Sequence, residues 1–534
     1  MPEPLWSLSA TQLCARLSEK QVSSREATTA HLDRIAEQAG ALSCFTEIFR
    51  DQALASADAS DAARARGEAR SPLHGLPVTV KECFDLAGQP TTLGIPARLS
   101  SKAPRDAALV EHLRGQGAVI LGRTNIPQLL LSYESRNPIW GAVNNPFALD
   151  RTPGGSSGGE SAALAAGLSP FGLGSDLGGS IRVPAHFTGT AGLKPTLDRI
   201  PARGCQTGLP GQEAVRGMPG PMARTSRDLA LWFSTLDPRW MCSADGRVPP
   251  LPWIDPNHLD AGKLRIGVVQ TSPFFVPPSA AIARATDEAA ALLRTLGCTV
   301  LPFEIPDVVA LYAFQASAVG SDGGATTKRA LAGGAQDPVV GTLLRNFRLG
   351  RGLRAVASHL MKRNGDPRVA EVLDRLGRRP VQEFWSLTNQ IRAARQIFLD
   401  AMAKAQLDLL LCAPFATPAA PHTSTREFMP AGAYSSIFNV LQLPAGVLPF
   451  TTVRKDEETR PASGSRLAKM AAAIDQDSAG LPVGVQLVGR PFEEHTVLAA
   501  MIQLEELARA RPDFPCTPIA PRPRATVLLE AAVR

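Results

Sequence analysis

The sequence predicts an α/β fold built on a mixed sheet, and three local patterns carry that expectation. Residues 264–269 (LRIGVV) read as a buried strand, followed by a helix over 279–296 and a second strand over 299–303. A helix over 105–114 leads into a strand over 117–121. The β-rich run 76–80 (LPVTV) ends abruptly at Lys81. Strands alternating with helical segments are the mark of β-α-β units, hence of an α/β sheet.

The elements follow in chain order. Residues 7–38 read as two amphipathic helices, with Leu13, Leu17, Val22, Thr29, Leu32 and Ile35 at helical spacing and Ser9 and Thr11 as caps. A charged, Ala-rich helix over 51–70 comes next. Lys81 closes a buried strand, an unusual place for a residue that is seldom buried. Residues 160–174 are rich in Ala and Leu and read as a buried helix entering a short strand. Residues 338–365 hold six basic side chains (Arg345, Arg348, Arg351, Arg354, Lys362, Arg363), no acidic one, and interleaved apolar residues from Leu343 to Met361. That basic amphipathic helix or helical hairpin suits either an anionic membrane surface or packing on the body through its apolar face. Residues 454–480, rich in charge, Ala and Ser, read as a mobile surface insertion.

Composition narrows the class. The 534 residues, 44% of them hydrophobic, are enough for a large core, and α/β enzymes often use such a length in one unit. A net charge of +7, from 56 Lys+Arg against 49 Asp+Glu, is too modest to argue for nucleic acid. Cys14, Cys44, Cys83, Cys205, Cys242, Cys298, Cys412 and Cys516 are scattered, with neither a C-x-x-C pair nor a Cys/His cluster of metal-ligand spacing. They read as free thiols in a reducing compartment. The start lacks the features of a secretion signal and no run of 18 apolar residues occurs, so the expected location is cytoplasmic.

The chemistry is concentrated between Thr152 and Thr196, where two glycine-flanked serines, Ser156 and Ser180, stand 24 residues apart around one apolar segment. Glycines on both sides of a serine allow unusual backbone conformations and let a reacting group approach main-chain N–H donors. A flexible linker does not fit, because these glycines bracket packed structure. A phosphate-binding loop does not fit either, because Glu160 follows Gly159 where a lysine is needed. A Ser-His-Asp site lacks its base, since only His186 adjoins the serine loops, and no S-x-x-K occurs in the chain. The base must come from elsewhere. A lysine held neutral by burial can deprotonate a serine, and Lys81 sits at the kind of strand end where α/β active sites collect.

The segments GGSSGG (154–159), DLGGSIRVPA (176–185) and GLPVTVKECFD (75–85) together resemble the amidase signature family. Further matching stretches are GRTNIPQLLLSYES (122–135), GLKPT (192–196), GPMART (220–225) and LPVGVQLVGRP (481–491). Within that family the stretches 80–95, 384–398 and 438–453 are similar to the fatty acid amide hydrolase branch.

The resemblance implies a single catalytic domain over 1–534. Its central sheet would be mixed, mostly parallel, twisted and covered by helices on both faces. Residues 325–400 would form a helical cap insertion, and 454–480 a surface insertion. It implies a Ser-Ser-Lys triad with Ser180 as nucleophile, Ser156 as bridging serine in a cis peptide and Lys81 as base. It implies an oxyanion hole from the amides of Leu177, Gly178, Gly179 and Ser180. Leu131, Ser132 and Tyr133 would bind substrate, while Asp176 and Arg182 would hold the nucleophile loop through a charge-assisted hydrogen bond. The implied substrates are lipophilic amides, fatty acyl amides or N-acylethanolamines. The alternatives are small or aryl amides and carbamates, or a glutaminase subunit of a tRNA-dependent amidotransferase. No cofactor, metal or nucleic acid is expected; peripheral contact with the inner membrane face through 338–365 and a homodimer are.

Overall fold

The computed structural model describes residues 3–269, 274–363, 365–461 and 464–523, which leaves Asn364 of the basic segment and 462–463 of the surface insertion outside it. Eleven strands form one sheet. In chain order they are β1 (Phe45–Ile48), β2 (Pro77–Lys81), β3 (Val119–Thr124), β4 (Phe171–Asp176), β5 (Ala191–Lys194), β6 (Met218–Ala223), β7 (Arg265–Val269), β8 (Thr299–Phe303), β9 (Leu409–Cys412), β10 (Ala445–Thr452) and β11 (Pro482–Gly489). Their order across the sheet is β1-β3-β2-β4-β6-β5-β10-β11-β9-β7-β8.

The sheet is mixed as expected, but it is not mostly parallel. Four neighbouring pairs run parallel (β2 with β3 and β4, β7 with β8 and β9) and six antiparallel. Parallel neighbours need a crossover, supplied between β2 and β3 by the helix Ala108–Gly115 and between β7 and β8 by Ala280–Thr295. The strands of the middle, β4–β6–β5 and β10–β11, reverse direction through returning loops and so pair antiparallel. Every residue of β11 and all but Thr452 of β10 are buried. Since successive side chains point to opposite faces, both faces of the sheet are covered.

The two N-terminal helices are Ala10–Ser18 and Ser24–Leu42, each opened by a capping box on Ser9 and Ser23. Thr11 is no cap: it lies inside the first helix, and its N–H and hydroxyl both donate to Asp228 Oδ1 at 2.8 Å. The charged helix spans Arg50–Ala65, and Ser279 caps Ala280–Thr295.

The basic segment folds as two helices that behave differently. Pro338–Arg348 buries Val339, Val340, Leu344 and Phe347, and Val340 and Leu344 pack with Leu129, Leu131 and Leu209 of the body. Arg351–Arg363 instead leaves Leu353, Val356 and Leu360 more than half exposed. The segment 454–480 is tied to the body. Its helix Arg466–Asp475 buries Leu467, Ala471 and Ile474, Arg460 donates to Pro277 O at 2.7 Å, and Arg151 donates to Ile474 O at 2.9 Å.

The core under β4 rests on Trp232, wholly buried, stacked with Phe171 at 6.1 Å and edge-on to Phe233 at 5.1 Å. Trp232→Ala is expected to cost about 3–5 kcal/mol, read as a lowered urea midpoint.

Candidate active site

Lys81 ends β2 in the middle of the left half of the sheet, and its side chain is fully buried. Its Nζ lies 2.7 Å from Ser156 Oγ, 2.9 Å from Ser157 Oγ, 3.0 Å from Ser175 Oγ and 3.3 Å from Ser175 O. Three of those partners are hydroxyls, which donate as well as accept, so the cluster satisfies a neutral amine whose lone pair takes a hydroxyl proton. Burial draws the Lys81 amine below its ordinary value.

The serine loop is shaped by glycine. The Gly155–Ser156 peptide is cis, and a Cβ on Gly155 would collide with Ser132 O. The helix Gly158–Ala165 starts immediately after, so Ser156 and Ser157 stand at its mouth, beside Lys81. Ser157 N–H donates to Ser180 O at 3.0 Å, which holds the two serine loops side by side. Among the described residues no hydrogen bond joins the hydroxyls of Ser156 and Ser180, and the Ser180 hydroxyl has no partner. Hydrogen bonds of this kind often tighten only when substrate is bound.

In the loop 177–180, the N–H groups of Leu177, Gly178 and Ser180 make no hydrogen bond among the described residues. Gly179 leaves the expected set of four: its N–H donates to Asp176 Oδ1 at 2.7 Å. Asp176 and Arg182 are paired beside the loop. Arg182 Nε and Nη2 each donate to the Asp176 carboxylate at 3.0 Å. The other Arg182 donors reach Ser435 O, Gln486 Oε1 and Asn439 Oδ1 at 2.6–2.8 Å. Burial alone would raise the Asp176 carboxyl, but Arg182, Lys194 and the Gly179 amide overcome it and hold Asp176 well below the usual carboxylate range.

A cavity of about 310 Å³ opens beside this centre, lined by Ser156, Asp176, Leu177, Leu129–Leu131 and the loop 205–217. Leu131 lines it. Ser132 and Tyr133 do not. Ser132 Oγ accepts the Glu134 N–H at 3.0 Å, and the Tyr133 hydroxyl donates to Gly178 O at 2.6 Å, so both side chains support the loops behind the cavity.

Four further residues contribute, of which Ser175 and Glu160 lie just outside the motif segments named above. Leu129 and Leu130 both have left-handed backbones, φ 58° and 61°, a conformation that costs an L-residue about 1–2 kcal/mol each. Ser175 bonds Lys81 from the strand below. Glu160, buried under the lysine, accepts hydrogen bonds from Thr79 Oγ1 and, at 2.8 Å, from Thr124 Oγ1. Burial pushes the Glu160 carboxyl up to about 7. A signal for Glu160 was present all the same, since an acidic residue opening an Ala/Leu-rich buried helix has no solvated face.

The amidase family profile matches residues 26–498, most of the chain. The chain belongs to the amidase family. A fatty-acid amide hydrolase 1 from Sus scrofa is 34% identical over 513 residues, covering 95% of this amidase and 86% of that protein. The solved structure of a fatty acid amide hydrolase superposes with a TM-score of 0.82 at 27% identity, over 95% of this chain and 86% of that one. A glutamyl-tRNA(Gln) amidotransferase subunit from Thermobifida fusca is 39% identical over 312 residues, covering 58% of this chain and 61% of that subunit. The protein is therefore a hydrolase of amide bonds, and no described helix is long and apolar enough to cross a membrane.

Arg182→Ala leaves Asp176 charged, buried and unpaired, so this amidase is expected to lose about 3–5 kcal/mol of stability in urea unfolding, with activity falling alongside. Unchanged stability would show that the pair does not hold the loop.

Proposed function

We propose that this amidase cleaves lipophilic carboxylic amides, fatty acyl amides or N-acylethanolamines, through a Lys81–Ser156–Ser180 relay and an acyl-enzyme. The observation that carries the mechanism is the Lys81 amine, buried and 2.7 Å from Ser156 with hydroxyls for neighbours. Neutral Lys81 takes the Ser156 proton while Ser156 takes that of Ser180, and the Ser180 alkoxide attacks the amide carbonyl. The free N–H groups of Leu177, Gly178 and Ser180 receive the oxyanion, each worth about 3–4 kcal/mol where such a donor is critical. Ser156 then protonates the leaving nitrogen, because an amine anion leaves poorly. Water releases the acid by the reverse relay. Gly179 serves the site by closing its loop on Asp176, with no share in the oxyanion.

Two observations support an apolar acyl group. The cavity wall of Leu129, Leu131 and Leu209 is continuous with Val340 and Leu344 of the helix Pro338–Arg348. The relative matched over the greatest share of this chain's own length among those above is a fatty-acid amide hydrolase. The exposed Leu353, Val356 and Leu360, with Lys362 and Arg363 on the same helix, would rest on an anionic bilayer that delivers such substrates. A second reading, glutaminase, is favoured by the 39% identity to an amidotransferase subunit, though that match covers 61% of the subunit.

Hydrolysis of an acetyl-to-oleoyl amide series, with glutamine and an anilide beside it, tests the assignment. Activity is expected to rise with chain length and to fall at least about 1,000-fold in Ser180→Ala. Preference for glutamine, the anilide or acetamide would discard the lipid substrate, and activity surviving in Ser180→Ala would overturn the mechanism. The pH profile tests the base. The reactive form carries neutral Lys81, and burial lowers that amine from its ordinary 10.5, so kcat/KM is expected to rise with pH and level off below that value. A profile that falls as pH rises through neutrality would remove Lys81 as the base.

A further inference from the structure

A trans peptide points its C=O and the following N–H in opposite directions. Fixing a carbonyl on one side of a loop therefore aims the next residue's N–H to the other. Every carbonyl from 176 to 179 is fixed in this way. Asp176 O accepts from Asn439 Nδ2 at 3.1 Å, Leu177 O from Gln315 Nε2 at 2.9 Å, Gly178 O from the Tyr133 hydroxyl at 2.6 Å, and Gly179 O from Val183 N–H at 2.7 Å. The N–H groups so aimed are those of Leu177, Gly178, Gly179 and Ser180, of which only Gly179 finds a protein acceptor among the described residues.

Gln315 stands apart from the other anchors. It lies on the helix Val308–Gly320, which leads into the helices of 325–404 and packs against two of them, Pro367–Asp374 and Val381–Lys404. Ser317 of the same helix donates to Arg375 O at 2.9 Å. The amide orientation of Gln315 is not ambiguous, because Leu177 O only accepts and must face Nε2. Its Oε1 is buried without a hydrogen-bond partner. A half-satisfied buried amide is worse for stability than an apolar side chain of the same size, so stability alone does not account for a glutamine here.

We propose that Gln315 is a positioning residue of the oxyanion site: by holding Leu177 O it turns the Gly178 N–H toward the carbonyl oxygen of the bound amide. The inference rests on the reading of loop 177–180 as that site. It also makes the oxyanion site depend on a helix packed between Ala433–Val440 of the body and the helices Pro367–Asp374 and Val381–Lys404, and Gln315 acts through Gly178 without touching substrate.

The test compares wild type with Gln315→Leu and Gln315→Met for hydrolysis of an acyl amide and for inhibition by two analogues of that substrate. One is a trifluoromethyl ketone, which forms a tetrahedral adduct on Ser180 and places an oxyanion in the site. The other is the corresponding secondary alcohol, which places none. Both variants are expected to lower kcat by about 10-fold to 100-fold with KM within about two-fold of wild type, less than the loss of a donor itself. Affinity for the ketone is expected to fall by the same factor as kcat/KM, and that for the alcohol to stay. The methionine variant preserves length and volume and carries the test if the leucine variant does not fold. Variants with wild-type kcat overturn the inference alone, as do variants that lose ketone and alcohol equally. A wild type that hydrolyses no acyl amide, or does so equally as Ser180→Ala, overturns the proposed function and this inference with it.

Discussion

The rest of the site is arranged around one amine kept out of water. Lys81 reaches from the end of β2 into a shell of serine oxygens, and burial makes its charged form costly. The shell exists because β2 lies between β3 and β4 in the sheet. Strand β4 brings Ser175 alongside, and the helix Gly158–Ala165 brings Ser156 and Ser157 over the strand end. Thr79, two residues before Lys81 and on the same face of β2, binds Glu160 from that helix. Gly172 of β4 leaves room for that carboxyl, since any Cβ there would overlap it. Burial raises the Glu160 carboxyl to about 7 and lowers the Lys81 amine, so the same dry core disfavours the charged form of each.

Charge is kept instead one layer away. Asp176 and Arg182 form a buried pair whose oxygens and nitrogens are filled by Gly179, Ile181, Ser435, Asn439 and Gln486. Such pairs contribute little net stability against an apolar alternative but break expensively when one partner is lost. Their effect here is geometric. The pair fixes the turn that bears Ser180, leaves three of its amides unpartnered among the described residues, and ties that turn to β11 through Gln486 and to the helix Ala433–Val440 through Ser435 and Asn439.

The basic segment shows how one amphipathic pattern divides in three dimensions. The helix Pro338–Arg348 spends its apolar face on the body, where Val340 and Leu344 pack with Leu129 and Leu131. The helix Arg351–Arg363 packs against Pro367–Asp374, and its remaining apolar side chains stay in solvent. Of the two expectations for this segment, a membrane surface and packing on the body, packing describes the first helix, while the second leaves a row of apolar side chains exposed.

Local pattern alone determined much of the chain. The strand at 299–303 agrees residue for residue, the helix expected over 279–296 spans Ala280–Thr295, and the glycine-serine segments marked the loops that meet at Lys81. These features were legible because periodicity, capping and glycine act within a few residues. The pairing directions across the sheet were not, because antiparallel neighbours such as β5 and β10 come from segments far apart in sequence. Nor were the roles of Ser132, Tyr133, Gly179 and Gln315 in the loops. Each depends on which way a peptide or side chain turns, and that is settled by hydrogen bonds between distant residues: 138 positions apart for Gln315 and Leu177, 304 for Arg182 and Gln486. Sequence by itself supplied the reactive residue types and their local loops; only the tertiary structure decided which of their groups face the cavity, because orientation is fixed by partners that no local pattern encodes.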